Sequence, residues 1–254
     1  MKTTTTILLL FIVQITISQT KNIFVEYDYY NGYFTNKVTL IANNENAIKI
    51  KGAISITNNE NVTLNEDESY SVVQKNVSIK GAKTYATIKN NTVKIKQPFK
   101  KEILFIKDSI SNFNWELIPN KTKEILGYKC NLAKLHFRGR DYFAYYTTEI
   151  PIPFGPWKFK SLPGLILYIY SDTGVNKIKW TVSRIKYPYS QKINLKWNEN
   201  LDTKLITYYD YIRKVHNKIK GDNQIISSRV KKGTNVTTSK PTRLGIELVY
   251  DWEK

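Results

Sequence analysis

Alternation of hydrophobic and polar residues with a period of two runs through most of the chain. Near the N-terminus, Val25, Tyr27 and Tyr29 are separated by acidic residues, which is typical of a strand with one buried face. Similar runs predict strands at Ile23–Tyr30, Thr35–Ile41, Ala47–Lys51, Tyr70–Val73, Thr84–Ile88, Thr92–Ile95, Ile103–Ile106, Trp115–Ile118, Leu126–Phe137, Tyr142–Thr147, Leu165–Tyr170 and Asn176–Tyr187. In the last run the alternation slips near Ser183, which predicts a β-bulge. Short strands with tight turns predict a mainly β protein whose antiparallel sheet forms a half-barrel or a sandwich.

One segment in the C-terminal half has helical spacing instead. Its apolar positions are Leu201, Leu205, Tyr208, Tyr209, Ile212, Val215 and Ile219. Asn200 is suited to the N-cap and Gly221 to the position after the helix. The pattern predicts an amphipathic helix over about 200–220 that packs on the sheet, followed by a last strand within Leu244–Trp252.

The most constrained stretch is Thr148–Ser171. Its three prolines fix φ and remove backbone donors, so Ile150–Pro156 is expected to be extended at a sheet edge or across the mouth of a sheet. Trp157–Lys160 alternates aromatic and charged residues, which predicts a short strand with one buried face. Pro163 and Gly164 are suited to the central positions of a type II turn.

Four short motifs carry a family resemblance. The chain has GYKC at 127–130, FRGRDY at 137–142, EIPIPFGPWKF at 149–159 and LPGLI at 162–166. This pattern resembles the GLPGLI family, which consists of exported proteins of Bacteroidetes-type bacteria. The match covers about residues 115–172, and Ser161 stands where the family's name motif begins with glycine. The resemblance implies export, and the family has no established activity to carry over.

The N-terminal eighteen residues have the composition of a secretory signal peptide. Lys2 provides the positive charge, Ile7–Ile17 forms an apolar core, and small residues predict cleavage near Ser18 and Gln19. The apolar core is too short to span a bilayer, so we expect no transmembrane segment in the mature chain. The remaining 19–254 is expected to form a single domain, exported to the periplasm or cell envelope.

Charge narrows the possible partners. The chain carries 39 basic and 21 acidic residues, a net charge of +18. Lysines are scattered along the strand-like segments, which favours solvated faces of a sheet over a nucleic-acid site. We therefore expect no nucleic-acid partner. Weak attraction to anionic lipid or acidic glycans is the alternative.

Motifs for cofactor or metal chemistry are absent from the sequence. It has no phosphate-binding glycine loop, no nucleophile elbow and no zinc-protease motif. His136 and His216 alone do not form a zinc site, so no metal or cofactor is predicted. Cys130 is the only cysteine and is predicted to be a buried structural residue.

The best polar constellation lies around the FRGRDY motif. Arg138 and Arg140 are spaced to share one strand face and to grip a carboxylate or phosphate. Asp141 and Glu149 are weak candidates for a catalytic acid and base. The competing interpretation is a salt-bridged hairpin at the rim of the sheet.

Many aromatic residues lie on predicted strands, and most of them fit a hydrophobic core, but such residues can also line a binding cavity. A large curved sheet covered by a helix forms an apolar cavity, with Pro153–Leu165 at its mouth. The predicted ligand-binding residues are Arg138, Arg140, Tyr142, Pro153, Phe154, Trp157, Phe159, Pro163 and Gly164. We expect the protein to bind a lipid or another apolar or amphipathic ligand, or an outer-membrane protein partner. The alternatives are an envelope hydrolase using Asp141 and Glu149, and a purely structural or assembly component.

Overall fold

The structure is a computed structural model that describes residues 21–32, 34–51, 82–173, 177–191, 194–229 and 245–253. The predicted signal peptide and the predicted strand Tyr70–Val73 lie outside these ranges.

Twelve strands and one α-helix make up the described fold. The elements are β1 Asn22–Tyr30, β2 Thr35–Ala42, β3 Asn46–Lys51, β4 Lys83–Thr87, β5 Thr92–Phe99, β6 Glu102–Ser109, β7 Glu116–Ile125, β8 Tyr128–Phe137, β9 Arg140–Thr147, β10 Leu165–Ser171, β11 Ile178–Tyr189, β12 Leu205–Thr207 and α1 Tyr208–Arg229. They form one open sheet in the order β12-β6-β5-β4-β3-β2-β1-β11-β10-β9-β8-β7. Neighbouring strands are antiparallel except β12, which is parallel to β6. The prediction of a mainly antiparallel β fold with a helix packed on it in the C-terminal half is confirmed.

The sheet is strongly curved, as an ion pair between two strands that are far apart in the strand order shows. Asp108 near the end of β6 and Arg138 in the β8–β9 turn are 2.7 Å apart between carboxylate and guanidinium. Eight inter-strand steps separate β6 from β9, which is about 38 Å in a flat sheet. The two ends of the sheet therefore face each other across its inner side, where residues such as Tyr27, Leu40 and Trp180 form the main core.

Two-residue hairpins hold the β7–β8–β9 meander in register. Leu126 and Gly127 join β7 to β8, and Arg138 and Gly139 join β8 to β9. All four have positive φ, which is the type I′ geometry that matches the right-handed twist of the flanking strands. This geometry turns the Arg138 side chain toward β6.

The predicted bulge in β11 is confirmed. Glu26 of β1 pairs with Arg184, and the next residue, Tyr27, pairs with Val182, so Ser183 is the extra residue. Its hydroxyl donates to the carbonyl of Glu26 at 3.3 Å. The slip in alternation along the sequence follows from this one residue.

Residues Ile150–Gly164, the crossing segment, connect β9 to β10 and lie across the inner side of the sheet. Phe154 and Phe159 are fully buried, and Phe154 forms a single β-bridge with Lys160. The Lys160 ammonium donates to the carbonyl of Thr87 at the end of β4 and to that of Asn90 in the β4–β5 turn. The segment therefore joins β10 to the opposite part of the curled sheet.

Two predictions for this segment are wrong. The structure has a turn at Trp157 and Lys158 where a strand was predicted. Lys158 and Lys160 are both buried, because Lys158 finds carboxylate partners and Lys160 finds carbonyl partners far away in sequence. Pro163–Gly164 is not a type II turn, because Gly164 does not have a positive φ. Glycine is required at position 164 because a Cβ there would lie 2.0 Å from the carbonyl oxygen of Thr147.

The helix begins and ends later than predicted. Glu199–Lys204 forms a 3-10 helix, and Leu205–Thr207 pairs with the open edge of β6 before α1 begins at Tyr208. Thr207 caps the helix, since its hydroxyl accepts from the amide of Asp210 at 3.1 Å. The helix continues through Gly221, a residue that costs about 1 kcal/mol there and does not stop it.

No strand occurs in the described part of the predicted Leu244–Trp252 strand. It forms an irregular segment that ends in a 3-10 turn, Asp251–Glu253. Its residue Glu247 is buried, and its backbone bonds to the β8–β9 turn, since the amides of Leu248 and Val249 donate to the carbonyl of Arg138. The segment packs on the β8–β9 turn instead of pairing as a strand.

Replacing Gly164 by Ala tests the close contact in the crossing segment. The added Cβ collides with a backbone oxygen that cannot move freely, so we expect a loss of at least about 3 kcal/mol in the free energy of unfolding. Gly221→Ala is the control, because nothing lies within 4 Å of a Cβ there. It should gain about 1 kcal/mol from helix propensity. Equal urea midpoints for the two variants would contradict the contact.

Candidate functional site

A cavity of about 190 Å³ lies on the inner side of the sheet. Five aromatic side chains line it, namely Trp157 from the crossing segment, Trp180 from β11, Tyr29 from β1, and Tyr208 and Tyr211 from α1. Trp157 stacks on Trp180 with ring centroids 6.3 Å apart. A cavity of about 150 Å³ holds benzene, so this one has room for a ring with a short substituent.

One buried cation in this cavity is left without a polar partner by the described residues. The side chain of Lys49 on β3 is 2% exposed and lines the cavity, and its ammonium has no hydrogen-bond partner there. Its nearest compensation is the face of the Phe154 ring, 5.4 Å from ammonium to centroid. Burial, together with the charge of Lys160, lowers the pKa of Lys49 to about 7. Asn36, the other buried side chain without a partner among these residues, lies on the same face of β2 as Val38, which also lines the cavity.

A buried ion cluster closes one end of the cavity. Lys158, 1% exposed, contacts Asp108 and Glu247 at 2.6 Å each. Arg138 binds the same two carboxylates, and the hydroxyl of Tyr208 donates to Glu247. Buried ions are tolerated when paired and hydrogen-bonded in this way, because each pays several kcal/mol of desolvation.

Electrostatics keeps this cluster ionised. Burial alone would raise the pKa of Asp108, but Lys158 and Arg138 hold it below its usual value. The same contacts raise the pKa of Arg138, against the effect of its burial. Because Lys158 is neutralised by carboxylates, Lys49 is the fully buried lysine of the cavity that has no hydrogen-bond partner among the described residues.

The two predicted ligand-binding arginines serve the fold. Arg138 is held in the ion cluster. Arg140 is fully buried and donates to the carbonyls of Ile246 and Gly245 at 3.0 and 2.9 Å. Both anchor the segment 245–253, so neither is placed to grip a ligand in the cavity.

The predicted catalytic carboxylates are far apart. Asp141 contacts the Nδ1 atom of His136 at 2.8 Å, whereas Glu149 accepts from the amide of Lys129 at 2.9 Å. His136 and Lys129 are seven residues apart on β8, which is about 23 Å along a strand. They cannot work as an acid–base pair, and Asp141 belongs to a salt-bridged hairpin instead.

The predicted aromatic and turn residues divide between cavity and core. Trp157 lines the cavity, and the ring of Phe154, which is not part of the cavity wall, contacts the ammonium of Lys49. Tyr142 and Phe159 are fully buried in the core, and the Tyr142 hydroxyl donates to the carbonyl of Ile246 at 2.8 Å. Pro153 is half-buried, Pro163 is exposed, and Gly164 packs on the end of β9. The Pro153–Leu165 stretch thus supplies one wall of the cavity through Trp157 and Lys158.

Lys49, Tyr29 and Trp180 were missed as site residues. In the sequence AIKIK, alternation places Lys49 and Lys51 on one face, a pattern that also fits a solvated edge of a sheet. The signal that Lys49 is buried comes only from its neighbours in space, such as Leu40 opposite it on β2.

Cys130 is buried, as predicted. Burial and the charge of Glu149 raise the pKa of its thiol to about 11, which suits an inert structural thiol. Across the described ranges, no group of three or more His, Cys, Asp and Glu is placed to hold a metal ion. The same part of the chain contains no helix long and apolar enough to cross a membrane.

Comparison with known proteins gives distant likenesses among solved structures. No protein-family profile matches the sequence, and no curated protein matches it. Among solved structures, two crystal forms of PNGF-II, in space groups C2 and P21, are similar with TM-scores of 0.46 and 0.47 at 14% identity. The alignments cover 74% of this chain but only 30% and 31% of PNGF-II.

Replacing Lys158 by Met tests the ion cluster. Two buried carboxylates would then share Arg138 alone, so we expect a loss of about 3–5 kcal/mol in the free energy of unfolding. Lys134→Met is the control, since Lys134 is partly exposed and lies 3.9 Å from Asp141. Surface pairs contribute at most about 1 kcal/mol. Similar urea midpoints for both variants would show that the cluster is not a stabilising unit.

Replacing Lys49 by Met tests the burial of an unpaired cation. Because the pKa of Lys49 is about 7 in the fold against 10.5 normally, the unfolded chain binds one more proton between these pH values. Wild-type stability should therefore rise with pH across this window. Lys49→Met removes that slope and should be more stable at pH 7 by roughly 2–4 kcal/mol. Lys107→Met, on the outer face of β6, is the control. A parallel pH profile for wild type and Lys49→Met would contradict the burial.

Proposed function

We propose that the protein binds a small apolar or amphipathic ligand in the cavity on the inner side of its sheet. The observation that carries this proposal is the buried ammonium of Lys49, which has no polar partner among the described residues in a cavity lined by aromatic and aliphatic side chains. An unpaired buried cation costs stability, and such a cost is typically retained at functional sites.

The wall of the cavity supports a flat ligand of modest size. Tyr29 stacks on Trp180 with centroids 4.8 Å apart, and Trp157 continues the aromatic surface. Rigid aromatic side chains bind rings with little loss of conformational freedom. The volume fits a single ring or a short chain, so of the apolar ligands expected from the sequence a small one is favoured over a two-chain lipid.

We also propose that this binding takes place outside the cytoplasm. The signal-peptide pattern in the first eighteen residues and the resemblance to the exported GLPGLI family support this location. The ligand would then come from the cell envelope or its surroundings.

Methyl NMR can detect ligand in the cavity directly. Ile95, Ile106 and Ile246 line it, whereas Ile48 packs on the outer face and Ile103 is exposed. Titration with benzyl alcohol, a neutral ring compound, should shift the δ1 methyl signals of the first three residues and leave the last two in place.

Val38→Phe tests whether these shifts report the cavity. Val38 lines it, so a larger side chain should fill the space and abolish the shifts while the protein stays folded. Leu117→Phe, at an exposed position of β7, should leave the titration unchanged. Uniform shifts, or none in wild type, would contradict the binding proposal, and crosslinking for a protein partner would follow. An organic extract of protein purified from its native envelope, analysed by mass spectrometry, would identify the ligand.

A further inference from the structure

The charged side chains that face Lys49 come from several elements. They are all lysines, and each either keeps its positive charge or is neutralised by carboxylates. Its own strand provides Lys51 at the cavity wall, and the crossing segment provides Lys158 and Lys160. Lys158 is neutralised by two carboxylates, and Lys160 donates to two backbone carbonyls. Among the described residues that line the cavity there is no aspartate or glutamate.

The tyrosines around the cavity do not supply the missing negative charge. Burial raises the pKa of Tyr29 to about 12 and that of Tyr208 well above its usual value. Burial also raises the pKa of Tyr211. These hydroxyls stay neutral at physiological pH, so the described cavity contains a buried cation and no anion.

The number of free donors limits which anion fits. A phosphate dianion is bound by several cations or amides, as at arginine forks and helix N-termini. Here the buried arginines Arg138 and Arg140 are engaged elsewhere, and Lys49 is the fully buried cationic donor of the cavity that has no acceptor among the described residues. A carboxylate carries one negative charge and two acceptor oxygens, which fits one lysine with Lys51 beside it.

We infer that the ligand is a small aromatic or alicyclic monocarboxylate, whose carboxylate pairs with Lys49 while its ring lies against Trp157 and Trp180. This inference rests on the proposed function and specifies its ligand class. The ring and carboxylate together match a cavity slightly larger than one that holds benzene.

Pairing with a carboxylate couples ligand binding to the protonation of Lys49. The free site holds Lys49 with a pKa of about 7, so above pH 7 the lysine must take up a proton when the anion binds. The affinity for a carboxylate is therefore highest below pH 7 and falls by up to about tenfold per pH unit above it. A neutral ligand binds without this dependence.

The test compares 3-phenylpropionate with 3-phenylpropanol, which differ only in the charged group, by calorimetric titration at about pH 6 and about pH 8.5. We expect the acid to bind at least about tenfold more tightly than the alcohol at the lower pH, and to lose about 30-fold at the higher one. Titrations at the higher pH in two buffers of different ionisation enthalpy should show proton uptake with the acid alone.

Lys49→Met separates charge recognition from cavity binding. It should remove the preference for the acid, abolish the pH dependence and keep the affinity for the alcohol, since the cavity and its aromatic wall remain. Lys107→Met, the control on the outer face of β6, should keep the preference for the acid.

Each alternative result has its own meaning. Equal binding of acid and alcohol, lost in both cases with Val38→Phe, would overturn the carboxylate inference and leave the cavity function standing. A preference for the acid that survives in Lys49→Met would also overturn the inference. No binding of either compound by wild type would overturn both.

Discussion

The contact between Arg138 and Asp108 is the constraint on which the rest of the structure depends. It joins the two ends of an open sheet that would otherwise lie about 38 Å apart. Lys158 from the crossing segment, Tyr208 from α1 and Glu247 from the C-terminal segment complete the same cluster. Because an incomplete buried ion cluster is strongly unfavourable, these elements are fixed together. The cavity is the space that remains inside this closure.

The buried cations in the described part of the chain fall into two groups that differ in their partners. Arg140 and Lys160 donate to backbone carbonyls, and Arg138 and Lys158 bind carboxylates. Lys49 has an aromatic ring beneath it and no acceptor among the described residues. For the first group, partners within the fold offset the free-energy cost of removing the charges from water. Only Lys49 has no acceptor among the described residues, which is why the functional proposal rests on it.

Local pattern was sufficient for most of the sheet and for its irregularity at Ser183, because alternation along a strand is a local property. It failed where distant residues decide the environment. Lys158 reads as a solvated strand position, yet Asp108 and Glu247, 50 and 89 residues away, hold it inside. The start of α1 was set by the open edge of β6, which captured Leu205–Thr207 as a strand. The sequence predicted Trp157 as a ligand-binding residue, but its pattern did not distinguish Lys49 from the other lysines on strands.

The four motifs at 127–130, 137–142, 149–159 and 162–166 have mainly structural roles. Arg138 and Lys158 build the ion cluster, and Gly164 allows the crossing segment to pass against the carbonyl of Thr147. Lys49 lies on β3, outside these motifs. The motif positions thus shape the closure of the sheet, whereas the charge of the cavity is set on a separate strand. In a fold built this way, the charge of the cavity can change by substitution at β3 while the motifs and the ion cluster stay as they are.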